Sequence, residues 1–414
     1  MGASEKTATA GVSTLPLLPQ DILVEILSKL PAKSLLRFRC VSKFFCALIA
    51  DHGFGVMHRS LSLTLPSRAG ILISISSSRS SPAYYTIYLS DENPRRPGML
   101  QANRLGFLDA EPFPKGSLLR SSSDGLICLS TPNGDFVVCN FSTGQRISLP
   151  RIRFHSSYPP STSAMLGFDS QSKRYKVLMS AKIIYQSSKY SICFEYKHWI
   201  LTVGVDKSWR EIDFTYSRPF SSSDLYPCLS CSNSVYIDGF MYFYYWLTND
   251  DHTPSHIMAF EFGSESYSLI PFPVEVSSSL SQYHRSDYIF GCFTLLQVDG
   301  GRLAIVLLHK RGSLCYMDVL TWEKSKECWE KITMPIPLEE SRTINQSQSV
   351  RYTTNHVGEI VLLCKNSERF SILVCNLKSE VWRQFDVGGV EEFPFVCHTD
   401  VRMYRTRDNV FSLE

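Results

Sequence analysis

The residues best suited to chemistry are few and weakly supported by their surroundings. Cys228-Leu229-Ser230-Cys231 has the spacing of a redox pair or of half a zinc site. No second Cys or His pair at ligand spacing follows it, so a coincidence at a strand end is the expectation. Asp250-Asp251-His252 sets three potential ligands in a row, but Asn249, Thr253 and Pro254 around them read as a hairpin loop. A cation needs further ligands converging from elsewhere in the chain. The glycines come singly or in pairs, such as Gly300-Gly301 and Gly388-Gly389, without the G-x-x-x-x-G-K or G-x-G-x-x-G spacing that cradles phosphates. A G-x-S-x-G nucleophile elbow is absent too. No catalytic residue, metal or cofactor is expected, and an enzyme is not the expectation.

Composition narrows the partners. Of 414 residues, 44% are hydrophobic and 20% charged, the balance of a soluble globular protein with enough chain for a large core. The net charge is +3, and Lys and Arg are scattered; the tightest pair, Arg95-Arg96, lies between prolines. Without a concentrated basic patch, neither nucleic acid nor a membrane surface is an expected partner. No apolar run approaches the ~18 residues of a membrane helix, and no apolar region follows the polar opening MGASEKTATAGVST, so no secretory signal is expected. Residues 1–14 lack periodicity and read as disordered. The thirteen Cys then read as reduced, mostly buried thiols, and the expected compartment is cytoplasm or nucleus.

The positioning elements fall into two kinds. Leu15 to Asp51 is the only clearly helical block. Leu18-Pro19 fits the start of a helix, Asp21 suits the positive end of its dipole, and Ile22, Leu23, Ile26, Leu27 and Leu30 recur at helical spacing. Pro31 predicts the end of that helix at Leu30. A second helix carries Leu35, Leu36, Phe38 and Val41, and Ser42 caps a third bearing Phe44, Phe45, Leu48 and Ile49. The apolar residues exceed what three short helices can bury among themselves, which points to contact with another protein.

This block resembles the F-box. The resemblance rests on two Leu-Pro pairs (Leu18-Pro19, Leu30-Pro31), the run Asp21-Ile22-Leu23-Val24-Glu25-Ile26-Leu27, and Leu35 through Lys43. It implies a trihelical module over residues 15–58 that docks on the Skp-type adaptor of cullin–RING ubiquitin ligases. The residues it assigns to the docking face are Leu18, Pro19, Ile22, Ile26, Leu30, Pro31, Leu35, Leu36, Val41 and Phe45. Phe45 stands where the family usually has Trp, and another aromatic keeps most of the apolar area.

Beyond the helices the period changes. Ile71–Ile75, Tyr84–Tyr88 and Phe136–Cys139 are short β-branched and aromatic runs bounded by turn residues. An imperfect repeat has a strand ending near Gly, a second apolar strand, a turn and a closing aromatic group often followed by Pro. The closing aromatics Trp209, Tyr267, Trp329 and Trp382 lie about 50–60 positions apart, close to the kelch period, which predicts propeller blades of four strands. The segment Leu61–Ile75 and the terminal strands around Phe411 are expected to share a blade. The dense run Tyr242-Phe243-Tyr244-Tyr245-Trp246 is expected to feed the core on both faces of one blade.

Residues 59–414 are similar to the F-box-associated interaction domain of plant F-box proteins. Arg59-Ser60, Ser123-Asp124-Gly125-Leu126-Ile127, Asn140-Phe141-Ser142-Thr143-Gly144, Gly167-Phe168-Asp169 and Ser208-Trp209-Arg210 carry the likeness, with Phe141 where the family has Pro. The expected protein is a small all-α trihelical head followed by a large all-β domain, a β-propeller of kelch-like blades. The resemblance implies a non-catalytic substrate receptor that reaches cullin and RING subunits through the Skp-type adaptor and binds a target protein, not identified by sequence, for ubiquitination. Two other readings fit the same residues. One is a non-degradative F-box scaffold. The other is a propeller that binds a glycan or small ligand.

Overall fold

The computed structural model describes residues 18–413 except 78–79, 91, 93–96, 109–116, 132–133, 155–160, 189–190, 214–233, 246–255, 277–293, 313, 367–368 and 391–398. The opening residues 1–14, Arg95-Arg96, the Cys228/Cys231 pair, Trp246 and Asp250–His252 lie outside the described residues.

The head has four helices. α1 spans Gln20–Ser28, α2 Ala32–Arg39, α3 Lys43–Ala50 and α4 His52–Thr64. Pro19 and Pro31 stand at the N-caps of α1 and α2, where a missing N–H costs nothing. The Ser42 hydroxyl accepts from Phe45 N at 3.2 Å, and Asp51 Oδ1 accepts from Phe54 N at 3.0 Å, so α3 and α4 each begin on a side-chain cap. Two expectations change. α1 ends at Ser28, before Leu30, because Lys29 and Leu30 N–H groups tighten into i−3 bonds. α4 runs on past residue 58 to Thr64, so Arg59, expected in the β domain, lies in a helix that continues from the head. Its breaker is Leu65-Pro66.

Six sheets follow, each an antiparallel blade of four strands, and successive blades touch until the sixth meets the first. Blade one pairs Ala69–Ser77 with Thr399–Arg407 across the two ends of the chain, with Ile71 opposite Arg405. This is the expected shared blade, although its terminal strand stops before Phe411. Blades two to six begin with the inner strands Leu118–Ser123, Ser161–Asp169, Val235–Ile237, Thr294–Val298 and Ser349–Thr354. Blade six gains a fifth, parallel strand, Met99–Gln101.

The core is divided into wedges between neighbouring blades. Leu126, Leu166 and Tyr175 meet between blades two and three; Met165, Phe243 and Phe260 between three and four; Val306, Val319 and Leu362 between five and six. A strand inside a blade therefore buries both faces, and Leu126–Ser130 is buried throughout. Alternation sends Met241 and Phe243 into one wedge and Tyr244 into the next, so the described part of the aromatic run is core on both faces. Close approach sets residue type as well: a Cβ on Gly167 would stand 2.0 Å from the Phe262 ring of the next blade. On the outer rim, Trp209 Nε1 donates to Pro150 O at 2.6 Å and Trp329 Nε1 to Pro271 O at 2.8 Å. The closing aromatic of one blade thus bonds to the proline that closes the blade before it.

Candidate functional site

The head exposes apolar residues. Leu18, Ile22 and Ile26 follow one another at four-residue spacing along one side of α1, Val41 precedes α3, and Phe44 lies in its first turn. These five are exposed, from 42% at Ile22 to 68% at Val41. Pro19 and Pro31 are exposed, while Leu30, Leu36 and Phe45 are partly buried. The Phe45 ring lies 5.5 Å from Phe38 and 5.6 Å from Phe44, centroid to centroid, so it links the exposed face to the helical core. Leu35 differs from the other assigned residues. It is fully buried with Leu27, Ala32, Ile49 and Phe54, because that side of α2 closes the head's own core, and it supports the face from beneath. Phe44, absent from the assigned set, is on the surface instead. Its neighbour in sequence carries the motif match, and only the helix phase tells the two apart.

The head is welded to the propeller by polar groups that sequence reading did not single out. Asp408 Oδ2 accepts from Ala32 N at 2.7 Å, capping α2 from a position just past the last strand. Arg68 donates to Ser28 O at 2.8 Å and Leu30 O at 2.9 Å, closing the C-terminal end of α1 with a cation. His58 Nε2 lies 3.1 Å from Leu30 O, and the Ser62 hydroxyl lies 3.4 Å from His58 Nδ1. Burial, with Arg68 beside it, pushes the His58 pKa down to about 4, so the ring is neutral and donates through Nε2.

Deeper in the joint, Arg59 of α4 reaches into the β domain. Its guanidinium pairs with Asp124, donates to the Tyr175 hydroxyl at 3.1 Å and lies 3.6 Å over the Phe168 ring. Asn409, fully buried, donates to Asp124 O at 2.7 Å. Phe411 then plugs the joint, with ring centroids 4.9 Å from Tyr175 and 5.2 Å from His52. Arg59, Asp124-Gly125 and Phe168 were among the residues that carried the likeness in sequence, and the structure brings them together. Asp124 and Gly125 have positive φ, 47° and 92°, as a type I′ turn requires, and a Cβ on Gly125 would sit 2.1 Å from Arg407 O.

These contacts place the head over the turns that link the first and second strands of blades two and three. In a four-stranded antiparallel blade, the connector to the next blade leaves from the opposite face. The segment between Cys328–Pro335 of blade five and Ser349–Thr354 of blade six is one such connector, and it carries α5, Leu338–Gln346, whose Ile344 is buried between blades while Leu338 is exposed. The head and α5 therefore lie at opposite ends of the ring.

Among the described residues, no three His, Cys, Asp or Glu side chains gather as a metal would need. Cys128, Cys139, Cys315, Cys364 and Cys375 are buried free thiols, and burial pushes Cys139, Cys364 and Cys375 up to about 12, away from thiolate chemistry.

Comparison with known proteins agrees with this architecture. Residues 15–57 match the F-box domain family and residues 107–410 match the family described as F-box associated beta propeller domain. The Arabidopsis thaliana F-box protein At4g19940 is 26% identical, the match covering 91% of this chain and 87% of that protein. The F-box/kelch-repeat protein At4g19930 of the same plant is 22% identical over 90% of this chain and 85% of its own. With a helical docking head, a six-bladed ring behind it and both families matched in this order, the chain belongs to the plant F-box proteins with a C-terminal F-box-associated β-propeller domain, which have the architecture of substrate receptors.

Proposed function

We propose that this protein is the target-binding subunit of an Skp–cullin–F-box ubiquitin ligase, working in the cytoplasm or nucleus. The head docks on the Skp-type adaptor through Leu18, Ile22, Ile26, Val41 and Phe44, with Leu30, Pro31, Leu36 and Phe45 at the margin. Each fully buried Leu, Ile or Phe contributes about 1.5–3 kcal/mol to such an interface before the costs of association. The adaptor carries the cullin and RING subunits. The face of the ring opposite the head, where α5 lies, holds the target. The receptor makes no covalent bond itself; it raises the target's local concentration beside the charged conjugating enzyme.

One observation carries this reading: the helical head, with Leu18, Ile22 and Ile26 exposed on one side of α1, is welded to one end of the ring by Arg59, Arg68 and Asp408. A bound target is then held at a set distance from the adaptor. The test is reconstitution of full chain, adaptor, cullin and RING subunit with proteins captured by the propeller. Ubiquitin transfer to a captured protein that disappears with Ile22→Asp/Ile26→Asp supports the proposal. Stable assembly and capture without transfer would reassign the protein to non-degradative scaffolding.

A further inference from the structure

The centre of the ring holds a cavity of ≈ 510 Å³ that the docking function does not use. Its wall draws on the inner strands of all six blades, and α4 covers part of one side with Arg59 and Leu63. The size suits a small molecule.

Its charges do not balance. Arg405 and Arg407 are two apart on the strand Thr399–Arg407, so they share one side of it, and both line the cavity. Arg405 donates to Gln297 Oε1, and Arg407 donates to Ser62 O at 3.3 Å. Neither lies within ion-pair distance of a carboxylate among the described residues. The nearest acids are Asp124 and Asp238, and Asp124 already pairs with Arg59. Three guanidiniums thus face two carboxylates around this space. Burial and the neighbouring Arg405 pull the Arg407 pKa down to about 10, the mark of a cation short of a counter-charge.

His356 also lines this space; burial, Arg407 and Arg405 lower its pKa, and its ring adds a donor. Guanidiniums without a carboxylate partner are complementary to a compact oxyanion, whose oxygens accept from their N–H groups.

We propose that the central cavity binds a small organic oxyanion, a phosphate monoester or a carboxylate, between Arg405 and Arg407. Such a ligand would sit against α4 and so against the joint between head and propeller.

The test is titration calorimetry and thermal unfolding of the full chain with phenyl phosphate, benzoate and neutral benzyl alcohol, the ionic strength held constant with chloride. One-site binding of phenyl phosphate or benzoate, with a raised Tm and no response to benzyl alcohol, is the expected result; which anion binds tells phosphate from carboxylate. Arg405→Gln should abolish binding. Arg405→Lys, which keeps the charge but loses the planar fork, should weaken it roughly tenfold, and it decides the matter if Arg405→Gln does not fold. No saturable binding of either anion, equal binding of benzyl alcohol, or an unchanged affinity in Arg405→Lys overturns the proposal.

Discussion

The backbone N–H of Ala32 donates to Asp408 Oδ2 at 2.7 Å, so a helix near the start of the chain takes its cap from the end of it. Pro31, the residue in the N-cap position, has no side-chain oxygen to offer. The cap comes from the tail that leaves the last strand of blade one. Folding of the helical head is thereby coupled to closure of the ring.

Asp408→Ala removes this cap and is expected to cost about 1 kcal/mol of stability. Asp408 also opposes the positive field of Arg68. Urea unfolding followed by far-UV circular dichroism measures the loss. A change within ±0.5 kcal/mol, typical of an uninvolved surface site, would remove the coupling claim.

The exposed and buried halves of the head should separate by mutation. Ile22→Asp and Ile26→Asp alter exposed positions, so they are expected to abolish adaptor pull-down while Tm stays nearly constant. Leu35→Asp places a charge in the head core and is expected to cost several kcal/mol, lowering Tm before any binding is tested. Normal adaptor binding by both surface variants would mean that another face docks.

The joint should weaken in acid. The folded pKa of His58 is about 4 against 6.5 for the free side chain, so the unfolded chain takes up the proton first. Its contribution is fully present above pH 6.5 and is lost as pH falls toward 4, with a slope approaching 1.4 kcal/mol per pH unit. His198, also buried and also pushed down to about 4, acts in the same direction within blade three. Urea midpoints measured across that range should fall less steeply for His58→Gln than for the unaltered chain. Parallel profiles would exclude His58 as a contributor.

Arg59 and Asp124 form a mostly buried pair. Removing one partner, by Arg59→Met or Asp124→Asn, is expected to cost about 3–5 kcal/mol because the other charge stays buried. The double variant should cost less than the two single losses added. Simple additivity in a double-mutant cycle would show that the two groups do not act together.

Much of this architecture was legible locally. Pro19, Pro31 and Ser42 mark where the first three helices begin, because a proline's missing N–H or a capping hydroxyl acts within one turn. The recurring closing aromatics marked the blades for the same reason, since every blade repeats one packing problem. The end of the head was less visible. Gly53 and Gly55 near the start of α4 gave no sign of thirteen helical residues. Gly55 is there because the Phe411 backbone passes close: an added Cβ would lie 3.2 Å from Phe411 Cα.

By itself, then, the sequence determined the class of protein, the order of its parts and the apolar stripe of α1, since periodicity, caps and turn residues all act between near neighbours. Tertiary structure alone decided which apolar residues of the head face outward, as with Phe44 against Leu35, because helix phase relative to a core is not local. It also decided the number of blades, the joint built by Arg59, Arg68 and Asp408, and the unpaired Arg405 and Arg407 at the centre of the ring. Each of these depends on groups from distant parts of the chain meeting where water is excluded. There a charge or hydroxyl gains or loses a partner by geometry that no stretch of sequence contains.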